Sequence, residues 1–216
     1  MIRFHDIEQN TDEWLDMRAG LINSSAMGKV MANYGKAFGE PAKQYASEIA
    51  AMQITGKRFT GNHFENEHTR RGHEQEPIAR EAYELRDFSV VTNGGYFEDG
   101  TTGASPDGLV DSDGAIEIKC VIPTTQFKTI KRNSYDPTYK WQLFGNLKIT
   151  GRSWIDFISY CDDFVGTEID GKSLFVYRIE KDSEEAEEAF EMLDIRTAEF
   201  CELVKSCKDV LKEATE

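Results

Sequence analysis

Residues 105–119 read SPDGLVDSDGAIEIK, and the way the two arms of this stretch meet decides the fold. DSDG supplies turn residues between two apolar-bearing arms, so a β-hairpin is expected. Side chains at i and i+2 of a strand share a face. On the AIEIK arm, Glu117 and Lys119 therefore project side by side, while Ile116 and Ile118 enter the core. A symmetric turn centred on Ser112 and Asp113 sets Val110 opposite Ala115 and Asp107 opposite Ile118, which puts Asp107 on the wrong face for Glu117. A one-residue shift, from a three-residue loop or a bulge at Gly108, brings Asp107 opposite Glu117, so an irregularity is expected there. Two carboxylates and a lysine on one face make a site for a hard divalent cation, Mg²⁺ with Mn²⁺ as a substitute. Such an ion activates water and neutralises charge on a phosphoryl group. The same three residues also suit an ordinary cross-face salt bridge on a solvated hairpin, worth under about 1 kcal/mol.

The spacing P-D-x9-E-x-K resembles the nuclease superfamily named for its proline, aspartate, acid and lysine, PD-(D/E)XK. SPDGL followed by E-x-K-C is a tighter match, similar to the lambda exonuclease branch, the YqaJ-type viral recombinases. Near the start, W-x3-R-x-G-x-I-x-x-S (Trp14, Arg18, Gly20, Ile22, Ser25) resembles a further motif of that branch. So do RRGHEQEPIAREAYE, with Glu76 in the place of the G-x3-E acid, and YKWQL, in the place of Y-x-x-Q. The likeness runs from about residue 10 to residue 180.

The resemblance implies an α/β (α+β) fold, a restriction-endonuclease-like core with a central mixed sheet flanked by helices and a C-terminal helix. Residues 1–216 would form one domain. It implies that Asp107, Glu117 and the backbone carbonyl of Ile118 ligate the metal, with Glu76 helping to hold it or a second ion. Lys119 would orient or deprotonate the attacking water. Arg18, Ser25 and Ser105 would grip a terminal 5′-phosphate, with Gln142 nearby. The implied activity is removal of 5′-mononucleotides from the 5′ strand of double-stranded DNA ends, leaving 3′ overhangs for a phage-type single-strand annealing protein. A ring-shaped homo-oligomer, often a trimer, comes with the family. The implied setting is bacterial cytoplasm with a phage or prophage source. Two departures stand out. The second glutamine of the family's Q-x-Q is Phe144 here, and the C-P after the lysine has become Cys120-Val121-Ile122-Pro123. Two rivals remain open, an endonuclease of the same superfamily and a DNA-binding protein with a decayed site.

The residue types suit this chemistry apart from any family. Arginine bonds two phosphate oxygens at once through its planar fork. A terminal phosphate carries more charge than an internal diester, so Arg18 and two hydroxyls in a closed pocket would separate a DNA end from its interior. Taken alone, Arg18 reads as a surface salt bridge to Glu13 or Asp16, and Trp14 as a core anchor.

Composition bounds the reading. At 216 residues the chain can bury a sizeable core, and its net charge of −14 argues against general nucleic-acid affinity. The acid is concentrated after residue 181. Residues 128–152, by contrast, carry Lys128, Lys131, Arg132, Lys140, Lys148 and Arg152 against Asp136 alone, a basic surface expected to face DNA. Cys120, Cys161, Cys201 and Cys207 make no C-x-x-C pair, which points to a reduced, cytosolic protein and away from iron–sulfur nucleases. No signal peptide or membrane span is expected. His63, His68 and His73 recur every five residues, share no helical face and read as incidental.

Helices are expected over 41–55, closed by Gly56, and over 66–86, interrupted at Pro77. Further helices are expected over 123–132, 137–149 and 183–212, the last with Phe190, Leu193, Phe200, Leu203 and Leu211 inward. Strands are expected near 89–97, 101–107, 109–111, 115–120, 153–161 and 172–180. Residues 62–71 are a candidate element to meet a DNA end.

Overall fold

A computed structural model describes residues 1–59 and 67–213. The chain opens with β1 (Arg3–His5), α1 (Asp12–Arg18), β2 (Ile22–Asn23), a 3₁₀ turn at Ser24–Ala26, α2 (Met27–Met31) and α3 (Glu40–Thr55). Then come α4 (Glu67–Asp87), β3 (Val91–Thr92), β4 (Tyr96–Glu98), β5 (Thr102–Ala104), β6 (Gly108–Val110) and β7 (Gly114–Cys120). It closes with α5 (Pro123–Arg132), α6 (Lys140–Thr150), β8 (Trp154–Tyr160), β9 (Leu174–Glu180) and α7 (Glu184–Glu213).

The local chemistry accounts for several boundaries. Pro41 and Pro123 sit in the first turns of α3 and α5, where their missing N–H groups are not needed. Gly56 and Asn133 stop those helices in left-handed conformations. The Thr11 hydroxyl caps α1 by accepting from the Trp14 amide. Pro77 does not interrupt α4, which runs through it unbroken.

The expected sheet is divided in two, one ordered β1-β4-β5-β2 and the other β3-β6-β7-β8-β9. Among the described residues, only β2·β5 and β7·β8 are parallel. The single strand expected over 89–97 breaks because the chain changes sheets at Gly94 and Gly95. A Cβ on Gly94 would lie 1.8 Å from the Pro106 carbonyl oxygen, and Gly95 adopts φ +56°. Only glycine allows both.

The five-stranded sheet is covered on both sides. Ile116, Ile118, Ile158 and Tyr160 pack beneath Ala79 and Tyr83 of α4. Ala115, Ile155 and Phe157 belong to the main core, with Leu143, Phe144 and Leu147 of α6 and Leu193, Phe200 and Val204 of α7. Leu211 is a correction to the expected inner face of α7: it is 45% exposed, whereas Phe190 and Leu203 are partly buried against the core. An ionic cluster around the buried Asp156 ties α4 to the sheet. Tyr83 donates to Asp156 at 2.7 Å, and Arg178 makes two bonds of 2.8 Å to the same carboxylate while lying 3.5 Å over the Trp154 ring.

Candidate active site

The hairpin forms with the shifted register. Val110 faces Gly114 and Gly108 faces Ile116, leaving Asp111, Ser112 and Asp113 as a three-residue loop with Asp111 at φ 47°. The Asp107 amide donates to the Ile116 carbonyl, so Asp107 and Gly108 both address one residue of β7, as at a β-bulge. The expected irregularity therefore takes both of its forms. It turns the Asp107 carboxylate toward β7, where Oδ2 accepts from the Ile118 N–H at 2.6 Å. Main-chain groups alternate along a strand, so the Ile118 carbonyl lies on this same edge.

Glu117 stands on the α6 face of β7 and is only 1% exposed. Lys119 Nζ donates to its Oε1 at 2.6 Å, and the ammonium sits 4.9 Å from the Tyr139 ring. Gln142 was expected beside a terminal phosphate. Its amide instead donates to Glu117 Oε1 at 2.5 Å, while Asn146, one turn further along α6, donates to Oε2 at 2.7 Å. Phe144 points away into the core, fully buried.

Glu76 approaches from α4. Its helix is pinned ahead of it by Arg71, which bonds Asp162, Asp163 (2.7 Å) and the Val121 carbonyl (3.3 Å), and by Gln75, which bonds Asp162. Arg80, one turn beyond Glu76, donates to the Asp107 carbonyl. Burial, reinforced by Asp107, pushes the Glu76 carboxyl up to about 7. Burial, then Asp107 and Glu76, does the same to Glu117, also to about 7. Burial raises Asp107 as well, against the pull of Lys119, the Ile118 amide and Arg80. Burial alone would lower the Lys119 ammonium, but Glu117 and Asp107 outweigh it and hold the lysine protonated.

Among the described residues, no three His, Cys, Asp or Glu side chains close into a coordination cluster by themselves. The donor set is instead two buried carboxylates, a main-chain carbonyl and the nearby Glu76, all oxygen. Such a set, with acids raising one another's proton affinity, suits a hard divalent ion completed by water or substrate oxygens.

The predicted phosphate-binding residues fall into two groups. Arg18 Nη2 donates to Ser25 Oγ at 3.0 Å, and its guanidinium lies 4.1 Å over the Trp14 ring. Arg18 forms no pair with Glu13 or Asp16; Asp16 pairs with Arg58. The turn that carries Ser25 packs on α6, the helix that bonds Glu117, and a Cβ on Gly145 would lie 3.2 Å from Ser24 Cβ; Glu117 is among the charges that act on Arg18. Ser105 serves the framework: its hydroxyl donates to the Gly95 carbonyl at 2.7 Å and accepts from Trp14 Nε1 at 2.8 Å. Trp14, 9% exposed, is the expected anchor.

The basic run over 128–152 is only partly available. Lys140 pairs with Glu185 at 3.2 Å and Lys148 with Asp194 at 2.9 Å, both on α7, and Arg152 bonds the Asp111 carbonyl. Lys128, Lys131 and Arg132 remain exposed on α5. The side chains of His63, His68 and His73, and much of the 62–71 segment, lie outside the described residues.

Sequence reasoning missed Arg80 and Asn146. Each is four residues beyond a residue it did select, Glu76 and Gln142, and i, i+4 positions share a helix face.

The fold is that of a nuclease of the lambda exonuclease type. The chain belongs to the YqaJ-like viral recombinase domain family, whose pattern matches residues 13–153. The crystal structure of an alkaline exonuclease (LHK-Exo) from Laribacter hongkongensis is similar over 95% of this chain and 98% of its own, with 30% identity and a TM-score of 0.80. The same enzyme in complex with dAMP gives 31% identity and a TM-score of 0.76, over 94% of this chain and 100% of that one. A phage related exonuclease from Haemophilus somnus 129PT shares the fold at 17% identity, with a TM-score of 0.59 over 91% of this chain and 96% of its own. No curated protein sequence matches the chain significantly. No helix among the described residues is long and apolar enough to cross a membrane.

Proposed function

We propose that this exonuclease is a metal-dependent exodeoxyribonuclease that digests the 5′ strand of duplex DNA ends and leaves 3′ overhangs. The observation that carries the reading is the meeting of Asp107, Glu117 and Lys119 in one buried site beside the Arg18–Ser25 pair. Asp107, Glu117 and the Ile118 carbonyl would hold Mg²⁺ or Mn²⁺, with Glu76 beside them. When bound, the ion supplies Lewis-acid polarisation and neutralises charge at the scissile phosphate.

The protein's own groups do the rest. Lys119, kept protonated by the two acids, orients the attacking water and offsets developing negative charge, which favours orientation over deprotonation. Glu76, with its raised proton affinity, can hold a proton near the reacting oxygens. Arg18, backed by Trp14 and joined to Ser25, offers its fork to a terminal phosphate. Ser105 supports this pocket through Trp14. A relative that binds dAMP is consistent with a mononucleotide product. On this reading the overhangs feed single-strand annealing in phage-type recombination within a bacterial cytoplasm. A homo-oligomeric ring, as a trimer, would keep the enzyme on its track.

The test uses linear duplexes labelled at either end, with and without 5′-phosphate, alongside a covalently closed circle. Faster loss of the 5′ label from phosphorylated ends and an intact circle are expected. Cleavage of the circle would replace this reading with an endonuclease.

A further inference from the structure

Asn146 belongs to none of the motifs in the sequence, yet it is completely buried and touches the most enclosed acid of the site. Its neighbours Leu143, Phe144 and Leu147 are equally buried and apolar, so an aliphatic side chain would suit the same stretch of α6. An amide there has to be explained.

Its two ends differ. Nδ2 donates to Glu117 Oε2 at 2.7 Å, whereas Oδ1 is buried without a hydrogen-bond partner among the described residues. A buried acceptor left unmatched is unfavourable, and such atoms are rare in folded proteins. Turning the amide over would not help, because it would press a carbonyl oxygen against a carboxylate oxygen. The amide thus keeps its donor on Glu117 at the expense of its own acceptor.

We infer that Asn146 is a positioning residue that fixes Glu117 as a metal ligand. Lys119 and Gln142 both donate to Oε1, so Asn146 supplies the hydrogen bond found on Oε2. With donors on both oxygens the carboxylate is locked about its terminal torsion, with its remaining lone pairs aimed at the ion. Partners that orient a ligand in this way typically contribute ten- to a hundredfold in metal affinity.

This rests on Glu117 being a ligand, so the experiment separates the two claims. Mn²⁺ binding to the full chain is measured by calorimetry without DNA, for the parent, Asn146→Leu, Asn146→Ala and Glu117→Gln. Thermal melts in EDTA identify the folded variants. Asn146→Leu should melt cooperatively, as the parent does, yet bind Mn²⁺ about tenfold or more weakly. Asn146→Ala, which cannot clash, should do the same and carries the test if the leucine variant does not fold. Cleavage by either should recover toward the parent rate as Mg²⁺ is raised, since the loss lies in affinity. A folded Asn146 variant that binds Mn²⁺ like the parent, while Glu117→Gln binds it poorly, overturns the positioning role alone. Equal binding by the parent and Glu117→Gln overturns the metal assignment of Glu117 and this inference with it.

Discussion

The Asp107 carboxylate accepts a hydrogen bond from the Ile118 amide at 2.6 Å, so the first acid of the site is fastened to the strand that carries the second. Asp107→Asn keeps an oxygen for that bond while removing the charge. It should fold normally and lose at least about 100-fold in cleavage rate. Single-turnover rates on a phosphorylated duplex check this, and near-parental cleavage would remove Asp107 from the chemistry.

Lys119→Met keeps the aliphatic stem beside Tyr139 and deletes the charge. A drop of about 10²–10³ in rate is expected, with DNA binding in Ca²⁺ little changed. Retained cleavage would leave the lysine only its salt bridge with Glu117.

The pH dependence has a defined sign. In the metal-free protein Glu76 and Glu117 sit near 7, against an ordinary 4.5. Folded protein therefore keeps protons that the unfolded chain has lost. The resulting stabilisation is full below 4.5 and disappears as pH rises through about 7. Melting temperature in EDTA should fall over that window through these groups. Mg²⁺ competes with the same protons, so it should raise Tm more at about pH 8 than at about pH 6. An equal Mg²⁺ effect at both pH values would contradict the assignment.

Arg18→Gln should erase the preference for phosphorylated 5′ ends. The rate on 5′-phosphate duplexes should fall about tenfold or more, toward that on 5′-hydroxyl duplexes, which changes little. Parallel loss on both substrates would make Arg18 a general DNA contact.

Arg178→Met would leave Asp156, 1% exposed, with Tyr83 as its remaining side-chain partner. Breaking a fully buried pair costs about 3–5 kcal/mol. The Arg178 side chain is 44% exposed, so about 2–3 kcal/mol by urea denaturation is expected here. A change under about 0.5 kcal/mol would show that water replaces the arginine freely.

The hairpin was legible because strand alternation and turn length jointly constrain where Asp107 can point. Its surroundings were not. The I-E-I-K alternation reads as one buried and one solvated face, yet strand β7 is covered on both, so Glu117 is as buried as Ile116. Helix α6 is buried nearly all round, from Leu143 to Thr150, and Asn146 reads there as one more interior position. The break at Gly94 follows from the closeness of Pro106, a contact between residues distant along the chain that no local pattern records. Lys140 and Lys148 look like a free basic strip until α7 brings Glu185 and Asp194 against them.

Helix α6 faces two ways. Gln142 and Asn146 grip Glu117, while Lys148 and Phe144 lean on Asp194 and Phe190 of α7, whose ring lies 6.5 Å from that of Phe144. Glu117 is thus steadied from two directions, by its own strand and by a helix whose far flank is moored to the C-terminal one.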